Sequence, residues 1–236
     1  MHAKNQGFSL LEVLMISALG SLLLLAATQV FATLVQQHSQ QSLELRLQER
    51  AILAELALRR DLSRGYQVVA AGRASHSYPA NGQTRIDLNS AGLNTQFDQF
   101  VSSDWLLINR QPAEETPDFS LWHTDRKTYG KGLAHRPSSS SAASGLAPSQ
   151  TVIAQVELLR LRFYCEAASS WLHAGQLDNF DTLAGIQYAL IIVSEAADPR
   201  ARARTFNLWG EHLQTPSDGR TRLLVTGSVR LREQPL

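Results

Sequence analysis

The sequence predicts an α+β fold: a long N-terminal helix, transmembrane and then amphipathic, packed on an antiparallel β-sheet. Three observations carry this expectation. Residues 8–35 hold one formal charge, Glu12, and residues 13–43 hold none if His38 is neutral. Behind them a helical period runs on to residue 64. After Gly65 the period changes to two, and the strongest strand patterns lie in the last part of the chain.

The first stretch is long enough to matter. At about 1.5 Å per residue, residues 8–35 cover roughly 40 Å of helix, more than the ~30 Å hydrocarbon core of a bilayer. A secretory signal has an apolar region of about 7–15 residues and a small-residue cleavage site. This run is about twice that length, and Ala26, Ala27 and Ala32 offer only weak cleavage sites inside it. A retained membrane helix is the better reading. The leader carries Lys4 and no acid, which favours a cytoplasmic N-terminus with the rest exported.

The helical pattern continues past the polar exit at Gln36, Gln37 and His38. At 100° per residue, Leu43, Leu47, Ala51, Ala54, Leu58 and Leu62 share one face, and Leu45, Ile52 and Leu56 lie nearly opposite. Two stripes suit a helix that packs its own domain on one side and a neighbouring subunit on the other. Gly65 is expected to end the helix in the left-handed conformation.

Beyond Gly65, Tyr66, Gln67, Val68 and Val69 read as a short strand, and residues 70–83 as a loop. Residues 84–89 and 105–109 are strand candidates, with a weaker one around Phe119 to Trp122. Residues 136–150 are rich in Ser and Ala and read as a mobile loop between parts of one sheet. Residues 152–165 read as one long strand, with Leu159, Leu161, Phe163 and Cys165 on one face and Arg160, Arg162 and Tyr164 on the other. A bulge is expected near Leu158 and Leu159. Residues 186–193 are apolar on both phases, as a central strand requires, and residues 223–232 alternate as a half-exposed strand.

Composition sets the outer limits. The 236 residues are 44% hydrophobic and 18% charged, as in an ordered protein. A net charge of +1 gives no overall pull toward nucleic acid. Cys165 is the only cysteine, so no intramolecular disulfide forms, and it is expected as a small buried side chain at a strand end. The domain plan is then 1–7 leader, 8–35 membrane and assembly helix, 36–65 amphipathic helix, and 66–236 an exported β-rich domain with the loop at 136–150.

Gly7, Phe8, Ser9, Leu10, Leu11 and Glu12, ahead of a long apolar stretch, resemble the type IV prepilin signature of pilins and of the pseudopilins of type II secretion. The resemblance implies a pilin-like fold and cleavage after Gly7 by a prepilin peptidase. Phe8 would be the new, N-methylated terminus, and Glu12 the fifth mature residue, where the family keeps a glutamate. It implies a bacterial inner-membrane protein, single-pass, N-terminus cytoplasmic and C-terminal domain periplasmic, later taken into a pilus or pseudopilus. The implied partners are other minor pilins or pseudopilins, the major subunit and the inner-membrane assembly platform. The chain's size, element order and the Arg60, Asp61, Leu62 helix end are similar to W-type minor pilins and to J-type minor pseudopilins. The expected role is to initiate or cap assembly of a type IV pilus, with two alternatives: a J-type pseudopilin, or an anchored pilin that binds DNA or surfaces through a basic loop.

The residues alone give Glu12 a physical role. A carboxylate near a membrane helix costs about 3 kcal/mol if unpaired. It meets a partner if the amine of Phe8 on an adjacent, axially offset subunit lies beside it; otherwise it snorkels to the headgroups.

Candidates for chemistry are few. The seven histidines are scattered, without a compact zinc spacing. There is no phosphate loop or GxSxG, so no catalytic site, metal or cofactor is expected. His123 and Asp125 are close in sequence but read as an ordinary surface pair. Asp178, Asn179 and Asp181 cluster oxygen ligands without EF-hand spacing and read as a solvated turn. Arg200, Arg202 and Arg204, with Arg220, Arg222, Phe206 and Trp209 nearby, form the one basic and aromatic cluster. It is material for binding DNA or surfaces, though a solvated loop is the plainer reading.

Overall fold

The computed structural model describes residues 9–73, 83–88, 93, 96–100, 103–111, 115–127, 130–139, 145–177, 179–180, 182–198 and 201–231. The chain divides into two compact units, Met1–Arg46 and Leu47–Leu236. One helix, α1 (Leu10–Leu62), runs through the division. At about 1.5 Å per residue its 53 residues measure roughly 80 Å.

In the first unit the helix is apolar and unburied, and it is long and apolar enough to cross a membrane. Its hydroxyls bond backward into the helix: Ser17 to the Leu14 carbonyl at 2.9 Å, Ser21 to Ala18 at 2.8 Å and Thr28 to Leu25 at 2.8 Å. These polar groups are thus satisfied without water, as a lipid environment demands.

The second unit contains two antiparallel sheets where the sequence suggests one. The first has five strands in the order β1-β4-β5-β6-β7: β1 (Gln67–Gly72), β4 (Trp105–Asn109), β5 (Phe119–Lys127), β6 (Gly130–Pro137) and β7 (Gln150–Ala154). The second has four in the order β13-β10-β8-β9: β8 (Val156–Cys165), β9 (Ser170–Leu172), β10 (Leu183–Val193) and β13 (Arg222–Arg230). Two hairpins complete the unit, β2 (Gln83–Asp87) with β3 (Gln96–Phe100), and β11 (Thr205–Leu208) with β12 (Glu211–Gln214).

The expected long strand at 152–165 is broken at Gln155, whose φ of 66° is left-handed. Such a residue cannot continue a ladder, so β7 ends in one sheet and β8 begins in the other. The bulge falls slightly earlier than expected. Ile191 pairs Leu158 and Ile192 pairs Val156, leaving Glu157 as the extra residue.

The expected loop at 136–150 is held at both ends. Arg136 and Pro137 belong to β6, Ser138 bridges Leu146, and Leu146 is buried. Residues 140–144 of that segment lie outside the described residues.

Register assigns the faces. Leu106 pairs with Trp122 and Ile108 with Ser120, so these four share one face of the five-stranded sheet. That face meets the end of α1, where Asp61 contacts Ser120 and Trp122. Leu107 and Leu121 face the other way and pack with Ile86, Leu88, Leu93 and Leu146. In the four-stranded sheet, Leu158, Ala189 and Ile191 are covered by Leu208 and Leu213 of the β11–β12 hairpin. Tyr188 lies on the opposite face from Ala189. Burial and the nearby Glu55 of α1 push its phenol up to about 12.

On α1 the first expected stripe is buried at Leu47, Ala51, Ala54, Leu58 and Leu62. Each such leucine contributes about 1.5–3 kcal/mol by leaving water. Gly65 follows the helix, but it is not left-handed. Its N–H bonds to the carbonyls of Asp61 and Leu62, both at 3.1 Å. A Cβ there would sit 3.1 Å from the Leu62 oxygen and 3.4 Å from Ile108 Cδ1. Gly65 is required by close packing, not by backbone sign.

Candidate functional site

The N-terminal motif sits at the start of α1. Gly7 and Phe8 lie outside the described residues. Ser9 is the first one described, and its carbonyl accepts from the amides of Glu12 at 2.9 Å and Val13 at 3.2 Å. Glu12 Oε2 in turn accepts the Ser9 N–H at 3.3 Å. A carboxylate three residues into a helix, bonded back to the residue that precedes it, is half of a capping box. Negative charge there also complements the positive end of the helix dipole. Glu12 therefore has a structural task inside its own chain that spacing alone did not reveal. The sequence signal was present as Ser9 followed three residues later by a glutamate.

The second expected stripe of α1 is exposed. Leu45, Ile52 and Leu56 are each more than half exposed, and Leu53 joins them at 47%. These four apolar side chains lie outside the buried core of their own chain.

The buried polar groups of the second unit are structural. Asp61 is the centre of one set. Its Oδ2 accepts the indole N–H of Trp122 at 2.6 Å and the hydroxyl of Ser120, and its Oδ1 accepts from Arg110 at 3.2 Å. His135 Nε2 lies 2.7 Å from the Ser120 hydroxyl and 3.8 Å from Asp61 Oδ2. Burial works against the Arg110 charge, but Asp118 and Asp61 outweigh it and hold the guanidinium pKa up.

Asp104 is the centre of a second set, taking Arg160 at 3.1 Å and the Leu161 N–H at 2.8 Å. Arg160 also pairs with Glu211 at 3.4 Å. The third set joins Arg222 to Glu157 at 2.7 Å and to Asp218 at 2.6 and 2.7 Å. None of these acids was singled out as a carboxylate site from sequence. The available signal was an arginine inside a strand that is otherwise apolar, because a buried guanidinium needs a carboxylate nearby.

The expected basic cluster is only partly assembled. Arg200 lies outside the described residues, and Arg202 and Arg204 are exposed. Arg222 is buried and committed to Glu157 and Asp218. Phe206 and Trp209 pack against the core of the four-stranded sheet. Trp209 also lies over Arg162, whose guanidinium carbon is 4.7 Å from that ring and 5.2 Å from Trp171. The aromatic faces are thus used within the chain.

His123 is buried, and its Nδ1 lies 2.9 Å from the Thr124 carbonyl. Ser149 Oγ is 3.3 Å from His123 Nε2 and 3.3 Å from Asp125 Oδ2. Ser149 Oγ thus lies within reach of both the imidazole and the acid. Burial pushes the His123 pKa down to about 4, which makes it a poor base. Cys165 is buried at the end of β8, with its sulfur 3.4 Å from Thr182 Oγ1. Asp178 and Asp181 lie outside the described residues. Among the described residues no group of three or more His, Cys, Asp or Glu side chains is placed to hold a metal ion.

Comparison with known proteins agrees with the N-terminal reading. The family model described as the prokaryotic N-terminal methylation motif matches residues 2–28. No curated protein matches the chain. Among solved structures, a type IV-like pilin from Thermus thermophilus is similar to 79% of this chain and 96% of its own length, at 15% identity and a TM-score of 0.47. The motif stands at the head of one long apolar helix with antiparallel sheets behind it. By that match the N-terminal segment carries a prokaryotic N-terminal methylation motif.

Proposed function

We propose that this chain is a minor pilin-like structural subunit that helps to initiate or cap a type IV pilus and enters the assembly through α1. The observation that carries the proposal is the methylation motif at residues 2–28 running into an unburied apolar helix. Cleavage after Gly7 by a prepilin peptidase makes Phe8 the new terminus and leaves a free amine close to Glu12 along the chain. Before assembly, Glu12 caps Ser9 of its own helix, as its 3.3 Å contact indicates. During assembly the same carboxylate also takes the amine of Phe8 on an adjacent subunit. A carboxylate has about four lone-pair sites, so the two roles do not compete.

Until extraction, the helix holds the chain in the inner membrane, with the leader on the cytoplasmic side. The exposed Leu45, Ile52, Leu53 and Leu56 then pack against neighbouring helices. The chain's size and order favour a W-type minor pilin, and a J-type pseudopilin of type II secretion would use the same helix in the same way. Deletion of the gene separates them. Loss of pili and twitching with normal export of enzymes supports the pilus, and the reverse result supports the secretion machine.

A further inference from the structure

The β11–β12 hairpin covers part of one face of the four-stranded sheet, packing over Leu158, Ala189 and Ile191. Its tip is the pair Trp209 and Gly210, held between the paired Leu208 and Glu211. A two-residue hairpin turn with positive φ at both positions ordinarily takes asparagine, aspartate or glycine first. Here the first residue is a tryptophan at φ 51°, followed by Gly210 at 88°. A bulky side chain in the left-handed region is a conformational outlier, and such outliers gather where a side chain has a task. This turn sets the Trp209 ring over Arg162, 4.7 Å from the guanidinium carbon.

Past the tip, the same face carries a polar row. Register aligns Arg162 of β8 with Gln187 of β10 and Ser228 of β13, at about 4.7–4.9 Å per strand. Trp171 of β9 borders the row, with its ring 5.2 Å from the guanidinium carbon and 5.3 Å from the Tyr164 ring. Both indoles are half-buried, so neither is enclosed by the contact with Arg162.

The neighbouring cations are matched by acids. Arg160 meets Asp104 at 3.1 Å and Glu211 at 3.4 Å, and Arg73 also pairs with Glu211. Arg162 has no such acid among the described residues. Its Nε donates to the neutral Gln187 Oε1 at 2.6 Å. Burial lowers its pKa, with no carboxylate to offset the shift. The donors on Nη1 and Nη2 therefore face no acid, and Gln187, with Oε1 engaged, keeps its amide N–H groups to donate.

We propose that this row is a binding site for an acidic sugar, a hexuronic acid unit whose carboxylate meets the Nη end of Arg162 and whose hydroxyls meet Gln187 and Ser228. A guanidinium fork matches a carboxylate through two parallel bonds. Neutral polar groups spaced along the row suit the hydroxyls of a pyranose, and its C–H face suits the negative face of an indole. An extended peptide is a poorer occupant, because it is read by backbone pairing along a sheet edge, and this row runs across three strands. The site is built from β8 to β13 alone, so it stands apart from the role proposed for α1.

The test is calorimetric titration of the full chain, in micelles of a sugar-free zwitterionic detergent, with the methyl glycoside of glucuronic acid. Saturable binding with a Kd of about 5 mM or tighter is expected. The methyl glycoside of glucose, which lacks the carboxylate, should bind about tenfold more weakly. Gln187→Glu gives Arg162 an acid of its own at nearly unchanged size, and should weaken glucuronide binding about tenfold without lowering the thermal midpoint. Arg162→Gln should weaken binding as much, and Gln187→Glu decides if that variant fails to fold. No saturation by about 20 mM glucuronide overturns the site. Equal binding of the glucoside, or unchanged binding by Gln187→Glu, overturns Arg162 as the carboxylate partner. Equal or tighter binding of the capped dipeptide Gly-Glu identifies a peptide carboxylate and overturns the sugar.

Discussion

The indole N–H of Trp122, which pairs across from Leu106 of β4, donates to Asp61 Oδ2 at 2.6 Å. Asp61 stands in the last turn of α1, so this bond joins the helix end to the five-stranded sheet. The carboxylate also receives Ser120 and Arg110. Removing it leaves a buried indole N–H without its acceptor and a part-buried guanidinium that loses one of its two carboxylates, Asp118 remaining. Asp61→Ala should therefore cost about 3–5 kcal/mol in urea unfolding. Asp61→Asn keeps an acceptor for Trp122 and should cost less. A loss below about 0.5 kcal/mol for Asp61→Ala would show that the helix end is held by packing alone.

Two leucines on one helix should behave in opposite ways. Leu58 is fully buried and Leu56 is 57% exposed. Leu58→Ala should lower stability by about 2–5 kcal/mol. Leu56→Ala should stay within about 0.5 kcal/mol yet reduce incorporation into the assembled fibre. Unfolding curves and the fraction of subunit recovered in sheared fibres check the two halves. Normal incorporation of Leu56→Ala together with Ile52→Ala would remove the exposed stripe from the assembly surface.

Stability should fall as pH drops below about 6.5. The folded pKa of His123 is lowered to about 4 by burial, while the unfolded chain keeps the ordinary value of 6.5. Between these values the unfolded state binds more protons, so stability rises with pH and is lost as pH falls. His135 and His173 are also lowered, again first by burial, and act in the same direction. The His123 contribution is on the order of 3 kcal/mol across the window. The urea midpoint measured at several pH values checks this, and His123→Gln should flatten the slope. An unchanged slope in that variant would assign the dependence elsewhere.

Glu157→Ala should destabilise by about 3 kcal/mol, because Arg222 is buried and loses the carboxylate 2.7 Å from its Nε. Arg202→Ala, at an exposed position, should change stability by less than about 0.5 kcal/mol. Thermal unfolding of the two variants checks the contrast. If DNA binding occurs at low salt, it should survive loss of Arg222 better than loss of Arg202 and Arg204.

The helix was legible because its signals are periodic and long. The uncharged run, the buried face and the exposed stripe all follow from spacing. Strands β4, β10 and β13 were legible for the same reason. The β5–β6 hairpin was mostly missed because its buried positions include Ser120, His123 and Thr124, and polar residues do not register as a core pattern. The division into two sheets was missed because it turns on Gln155, a residue with no intrinsic preference for positive φ. Of the candidate site, the glycine, the phenylalanine and Glu12 were legible as a motif. The Ser9 contact of Glu12 required the backbone geometry. Asp61 and its partners were not legible as a set, because they come together from α1, the residue after β4, β5 and β6 only in the folded chain.

Incorporation of Glu12→Ala into pili or pseudopili tests the register role. The pairing of Glu12 with the Phe8 amine of a neighbour requires this variant to be made, inserted and processed but poorly assembled. Incorporation at the parental level would leave Glu12 as a helix cap only.

The most direct test of the central claim is the mass of the mature N-terminus. Intact-mass and N-terminal peptide mass spectrometry of the chain recovered from membranes should show loss of residues 1–7 and a methylated Phe8. An intact leader, or a terminus created after Ala27, would contradict the account.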